Sequence, residues 1–298
     1  MKKVLFLSMM LTAAITVSAQ MKVAPKLEKG MTKVYNEVAT TKVPGQKEVT
    51  ITTDTRYMVT EVTADGYVID VKTISFSTDA TPDNIAGQLL SSASELMKDA
   101  NVRVATNKDG KAEKIVNYAE LKTQIEGMSD KLIGKLYQSI PQLSQMVPKD
   151  ILRQQMVENI TEERLLTTMQ NVPSLLALNG KSVMTGAQED YLNEQGMKMR
   201  RMYFVNGKNI VTNSSMNMSK DELKTLIIAQ VEKVAPDQAD MIKQNIDQLV
   251  ESGMLKMDMK ETATFELQDD GWVKSITIDS TLDAVGQSTT THVVVTAK

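Results

Sequence analysis

The chain has no cysteine and a single histidine. That excludes disulfides, a thiolate nucleophile and Cys/His zinc centres, and one imidazole cannot build an H-E-x-x-H site. Aromatic residues are only 4%, with one tryptophan, so the stacking platforms common in sugar sites are scarce. Positive charge is in short supply: 34 Lys+Arg stand against 37 Asp+Glu, and the pI is near 5.5. A nucleic-acid binder normally carries a basic stripe that this balance does not provide. After residue 19 no apolar run approaches the roughly 20 residues needed to span a bilayer; Leu226-Ile227-Ile228-Ala229 is typical. The sequence contains no G-x-S-x-G, S-x-x-K, Walker loop or G-x-G-x-x-G, which removes the motif support for acyl-enzyme and nucleotide chemistry. What is present is ordinary in bulk. The 298 residues are 42% hydrophobic and 24% charged, as in soluble globular proteins and unlike disordered, collagenous or multi-span chains.

The first nineteen residues have the three parts of a secretory signal. Met1-Lys2-Lys3 is positive, Val4 to Val17 is an apolar core, and Val17-Ser18-Ala19 puts small residues at the cleavage site. The core is too short for a spanning anchor, and no cysteine follows it to carry a lipid. The expected product is a soluble exported protein, periplasmic or extracellular, formed of residues 20–298, with no integral membrane segment once the signal is cut. An absence of cysteine suits an oxidising compartment.

The mature chain alternates hairpins with helical blocks. Residues 31–43 and 49–79 are rich in Val, Ile, Thr and Tyr, with turns at Pro44-Gly45 and Asp65-Gly66; an Asp-Gly pair between β-rich runs signals a hairpin. Thr81-Pro82-Asp83 should open a helix. A hairpin around Asn107-Lys108-Asp109-Gly110 follows. Asn117-Tyr118-Ala119-Glu120 then resembles a capping box that starts helices reaching Gln170, broken at Pro141 and Pro148. Thr161-Glu162-Glu163 marks another helix start, and Val172-Pro173 ends the block. Strands return over residues 181–218, with turns at Gly196 and Asn206-Gly207. Ser219-Lys220-Asp221-Glu222 is a full S-x-x-E box. Pro236 opens a second helix with Met241, Ile242, Ile246, Leu249 and Val250 inward, stopping at Gly253. In the last 45 residues Leu255, Met257, Met259, Ala263, Phe265 and Leu267 share one parity, while Lys256, Asp258, Lys260, Thr262 and Glu266 share the other. Period-two alternation means one buried and one wet face. Asp269-Asp270-Gly271 turns into the next strand. Asp109-Gly110 and Asp270-Gly271 form a faint internal echo. Some ten or eleven strands linked by short turns require antiparallel pairing. The expected fold is therefore α+β, a single domain with a large curved antiparallel sheet and inserted helices covering one face.

Candidate chemistry is sparse. His292 stands on the opposite parity from Val293 and Val295 and reads as an exposed strand histidine. Glu162/Glu163, Glu189/Asp190 and Asp269/Asp270 are the carboxylate pairs a glycosidase would need. A helix start explains the first and a turn explains the last. Asn107-x-Asp109-Gly110 has part of a calcium-loop pattern without its closing glutamate. Methionine is the unusual feature, at 21 residues. The pairs Met197/Met199, Met216/Met218 and Met257/Met259 lie in predicted strands, where a spacing of two puts both side chains on one face. Such pairs fill a core, line a surface for apolar ligands, or bind Cu(I) through thioethers; the missing cysteine and remote histidine weigh against copper.

Leu27-Glu28-Lys29-Gly30, the Pro44-Gly45-Gln46 turn and residues 57–67 resemble an uncharacterised family of secreted bacterial β-rich proteins, with an L-x-x-G opening strand and a D-G-Y hairpin. The likeness covers mainly residues 27–75 and implies fold, not activity. The gross layout of a long antiparallel sheet with inserted helices also looks like the periplasmic lipoprotein-carrier half-barrel.

The reading is an exported, non-enzymatic cell-envelope protein. It binds an apolar ligand, a lipid or acyl group, between sheet and helices, with the six methionines as lining and no cofactor or metal. The alternative is a structural or interaction module whose partner is another envelope protein. Mass analysis of the exported protein should find Gln20, cyclised, at the N-terminus. An intact Met1, or a cut beyond about residue 25, contradicts the signal assignment.

Overall fold

The computed structural model describes residues 20–80, 100–139, 148–158, 160–193, 196–234, 236–252, 256–284 and 286–298. The signal segment, the helix expected from Thr81, and the stops expected at Pro141 and Gly253 lie outside the described residues.

Two antiparallel meanders build the molecule. The first is β2 (Thr32–Lys42), β3 (Val49–Val62), β4 (Gly66–Thr78), β5 (Asn101–Asn107) and β6 (Ala112–Ile115). The second is β8 (Gln188–Leu192), β9 (Lys198–Asn206), β10 (Asn209–Met216), β11 (Met257–Leu267), β12 (Val273–Ala284) and β13 (Gln287–Ala297). Pairing of β13 with β2, from Thr290↔Lys42 to Ala297↔Tyr35, fuses them into one open sheet of eleven strands in the order β6-β5-β4-β3-β2-β13-β12-β11-β10-β9-β8. Two short strands, β1 (Met21–Lys22) and β7 (Ser182–Val183), pair separately. The expected turns are in place. At Asp65-Gly66 the Thr63 hydroxyl accepts from both turn amides, and a Cβ on Gly66 would collide with the Thr106 carbonyl of the neighbouring strand.

One face of this sheet carries the core. Tyr35, Tyr57, Val59, Ile69, Val104, Ile115, Ile210, Ala263, Phe265, Ile276 and Val295 are buried in a single cluster. Alternation in each strand puts polar partners outside, as Ala263, Phe265 and Leu267 alternate with exposed Thr262 and Thr264. Onto the inner face folds the segment 171–180, whose Leu175, Leu176 and Leu178 are almost fully buried. Successive short turns satisfy its backbone, with Ala177 N–H donating to Ser174 O and Asn179 N–H to Leu176 O.

A strap over residues 22–27 then ties the plug to the sheet. Val23 exchanges backbone bonds with Gly180 and Lys181, and Lys26 receives the indole N–H of Trp272 at 2.9 Å. Both echoing Asp-Gly turns meet this strap. A Cβ on Gly110 would stand 3.4 Å from Pro25, and one on Gly271 only 2.9 Å from it. Five strand spacings separate β5 from β12, about 24 Å in a flat sheet. Two turns that far apart in strand order abut one proline because the sheet curls, so the inner face is concave.

Five helices are described: α1 (Tyr118–Ser139), α2 (Lys149–Glu158), α3 (Glu162–Gln170), α4 (Lys220–Val234) and α5 (Pro236–Glu251). Leu121 of α1 lies in the core, and Leu165, Leu166 and Met169 of α3 pack against it. Helices α4 and α5 pack on each other and are inserted between β10 and β11. The Ser219 box is formed as expected: Glu222 N–H donates to Ser219 Oγ at 3.2 Å and Ser219 N–H to Glu222 Oε2 at 2.8 Å. Thr161 caps α3 through the Arg164 amide. Two expectations need correction. Asn117 starts its helix as expected, its carbonyl accepting from Leu121 N–H, but its side chain closes no capping box; it bridges to β5, accepting from Arg103 N–H and donating to Asn101 O, because an adjacent strand edge supplies both partners at once. Met241 is 60% exposed, not inward, while Ile246 and Val250 carry the buried side of α5.

Phe265, flanked in register by Ile210 and Ile276, is 1% exposed. Phe265→Ala should cost about 3–5 kcal/mol in denaturant melts. Glu266→Ala, which breaks a surface pair with Lys274 and a long hydrogen bond from Ser275 Oγ, should change stability by about 0.5 kcal/mol or less. Equal costs would contradict the register.

Candidate functional site

Four of the six methionines, Met199, Met216, Met257 and Met259, converge at one end of the concave face, while Met197 precedes β9 and Met218 follows β10, so those two lie outside the strands expected to hold them. In register, Tyr191 of β8 pairs with Met199 of β9, and Met199 with Met216 of β10. Ser215 pairs with Lys260, so continuing that register by one residue sets Met216 opposite Met259, which pairs with Leu282. Met257, beside Ala284, stands on the same face as Met259. The six do not behave alike. Met197 and Met199 are 4% and 0% exposed and belong to packed interior. Met216, Met218, Met257 and Met259 are half-buried. The α4–α5 hairpin leaves β10 and rejoins β11 at this same end, since Met216 closes one strand and Met257 opens the other.

Between this methionine end and the main core lies a belt of polar side chains, of which sequence reading had singled out only Glu189. On the inner parity, Glu189 pairs with Arg201, Arg201 with Ser214, Ser214 with Glu261, and Glu261 with Ser280. Arg201 is 1% exposed and Ser214 4%. The guanidinium lies 4.1 Å over the Tyr191 ring, and Nε donates to Ser214 Oγ at 3.4 Å. The available signal was a charged residue on the apolar parity of a strand, at Arg201 between Met199 and Tyr203 and at Glu261 between Met259 and Ala263. Burial raises the Glu261 pKa, with Arg201 opposing the shift.

Beyond the belt, a cavity of about 580 Å³ opens between the plug and edge strand β8, lined by Lys111, Asn179, Lys181, Glu189, Tyr191 and Tyr203 among others. Its size suits a small molecule. Lys181 donates to both Glu189 oxygens at 2.6 and 2.8 Å, and the Tyr203 hydroxyl donates to Glu189 Oε2. Burial depresses the Lys181 pKa against the pull of Glu189. Burial alone would raise Glu189, but Lys181 and Tyr203 hold it below its ordinary value. These three groups are spent on one another, and the arrangement anchors the end of the plug to β8.

The remaining candidates take structural places. Glu189 and Asp190 point to opposite faces, the latter to Arg200 at 2.8 Å. Glu162 accepts from the Ile115 amide at the start of α3. Asp270 pairs with Lys33, and Asp269 with Lys208. The Asn107 side chain accepts from the Asp109 and Lys111 amides, which makes its loop a turn. His292 faces out, 2.7 Å from Asp279. Among the described residues no cluster of three His, Asp or Glu side chains could hold a metal, and no helix is long and apolar enough to cross a membrane.

No family model matches the chain, and no curated protein matches it; the resemblance of residues 27–75 to a secreted β-rich family gains no support from either. Solved structures that are similar in part include two described as follows. One, described as lipid-protein interactions in lipovitellin, aligns over 92% of this chain and 25% of its own, at 7% identity and TM-score 0.39. The other is the S-type phycobiliprotein lyase CPES from Guillardia theta, over 89% of this chain and 86% of its own, at 6% identity and TM-score 0.22. The chain spans about a quarter of the lipovitellin chain. Likeness at this level carries no argument about function.

Glu261 supplies a pH signature. A carboxyl that holds its proton more tightly in the fold than in the unfolded chain adds stability that is fully present below its ordinary value of 4.5 and is lost as pH rises through the raised folded value. Glu261→Gln should therefore gain on wild type as pH rises from about 4 to 8, measured by urea melts. Parallel pH curves for the two proteins would contradict the assignment.

Proposed function

We propose that this is an exported, non-enzymatic cell-envelope protein that holds an apolar ligand, a lipid or acyl group, against the methionine end of its concave face, with the α4–α5 hairpin as lid. One observation carries the reading. Met216, Met259 and Leu282 form a continuous apolar row in three adjacent strands, on the same face as the core, yet each is only half-buried. A packed core excludes water from such a row; a surface meant for a ligand leaves it partly open. Methionine suits the task because an unbranched, polarisable side chain adapts to varied apolar shapes. The signal-like N-terminus supports export.

A fluorescent long-chain acyl probe should bind the wild type, and Met216→Ala and Met259→Ala should each weaken it about tenfold, near 1.4 kcal/mol. Their melts should move less than the roughly 2–5 kcal/mol of a filled-core deletion. A wild type that binds no probe, with both variants destabilised like core deletions, overturns the reading.

A further inference from the structure

The sheet ends at β6 on one side and at β8 on the other, and the end of α3 bridges these two edges. Gln170 Nε2 donates to Ala112 O on β6 at 2.8 Å, and Asn171 Nδ2 donates to Leu192 O on β8 at 3.3 Å. Both bridging residues line the cavity of about 580 Å³, together with Lys111 just before β6 and four of the five residues of β8. Leu176, Ala177, Val183 and Leu192 give it apolar wall. The cavity is therefore a space held open between two sheet edges, with a wall that is part polar and part apolar.

Its charge does not balance. The charged lining residues are Lys111, Lys181 and Glu189, two cations against one anion. Lys181 neutralises Glu189. Lys111 makes no ion pair among the described residues, and nearby Asp109 is taken by Lys22. The two lysines rise from backbones in contact, since a Cβ on Gly180 would stand 2.7 Å from Lys111 Cβ. Burial depresses the Lys181 pKa, and the charges of Arg201 and Lys111 add to that against the pull of Glu189. Two of the three hydrogen bonds the Lys181 ammonium can donate go to Glu189, and the third finds only the Tyr203 hydroxyl at 3.5 Å. Its side chain is 22% exposed, so a ligand in the cavity can reach it.

We propose that this cavity is a second binding site, separate from the methionine end, and that it takes a small organic monocarboxylate with an apolar body. The carboxylate sits against Lys111 and the third proton of Lys181, and the body lies over Leu176, Ala177, Val183 and Leu192. One negative charge cancels the excess of one positive charge. A dianion would set its second charge against Glu189, and a cation would meet Lys111 uncompensated. None of the six methionines lines the cavity, so the site does not depend on the apolar-ligand reading.

The test is isothermal titration of the purified protein with 4-phenylbutanoate, indole-3-acetate and octanoate, each beside its primary amide, which keeps the shape and drops the charge. At least one acid should bind about tenfold more tightly than its amide, near 1.4 kcal/mol. Lys111→Met should abolish that preference and Lys111→Arg should keep it. Because the Lys111 side chain is exposed, both variants should melt with wild type, and both should bind the long-chain acyl probe unchanged. If no acid binds, if acids and amides bind equally, or if the preference survives Lys111→Met, the site is overturned. Tighter binding of phenyl phosphate than of every acid overturns the monoanion class. A preference lost in Met216→Ala and kept in Lys111→Met places the acid at the methionine end and overturns this site alone. Failure of the acyl probe with the acid preference intact overturns the apolar-ligand reading and leaves this one standing.

Discussion

Everything in this protein depends on the pairing of its last strand with its first long one. Strand β13 beside β2 joins a meander of five strands to a meander of six, and that seam makes a single concave face where two separate sheets would otherwise present two shallow ones. Curling goes with the same seam, because only a bent sheet brings both the Gly110 and the Gly271 turns against Pro25. The plug at residues 171–180 fills the concavity near that point, and the strap locks it to Trp272. Each of these contacts is long-range in sequence, so the fold is specified by agreement among distant segments and not by any one strong local signal.

The hairpins were legible because their chemistry is local. Asp-Gly and Asn-Gly pairs between β-rich runs left the chain little else to do, and the alternation from Met257 to Leu267 fixed which side faces in. The Ser219 box was legible for the same reason. Asn117 marked its helix start correctly, but the partners of its side chain lie on β5, which capping rules do not see. The plug had no period of 2 or 3.6 to announce it, and the β13–β2 seam and β1–β7 pair join segments that no turn connects. Of the site, the methionine pairs stood out, but their convergence on one row came only with register. Arg201 and Glu261 were overlooked since each interrupts an apolar parity once, and their meaning appears only when the two interruptions line up across β10.

That belt divides the inner face by free energy. Phe265, Ile276 and Ile210 have neighbours on every side and contribute as a close-packed core. Past Arg201 the same parity continues in Met199, still buried, but past Ser214 and Glu261 it continues in Met216 and Met259, which are only half-buried. Burying charge in an otherwise apolar face is unfavourable unless the groups find partners. Tyr191, Tyr203 and Ser214 partner Arg201 only in part. The belt thus forms a polar floor between the packed interior and the half-buried methionines.

The central claim is that the methionine end of the concave face holds an apolar ligand. Native mass spectrometry of the protein purified from its own host, without detergent, tests it most directly. The account predicts a population heavier than the processed chain by the mass of a lipid, which collapses to the polypeptide mass on organic-solvent extraction and rebinds when the lipid is returned. A single species at the polypeptide mass, with no adduct formed on adding monoacylglycerol or fatty acid, would contradict it.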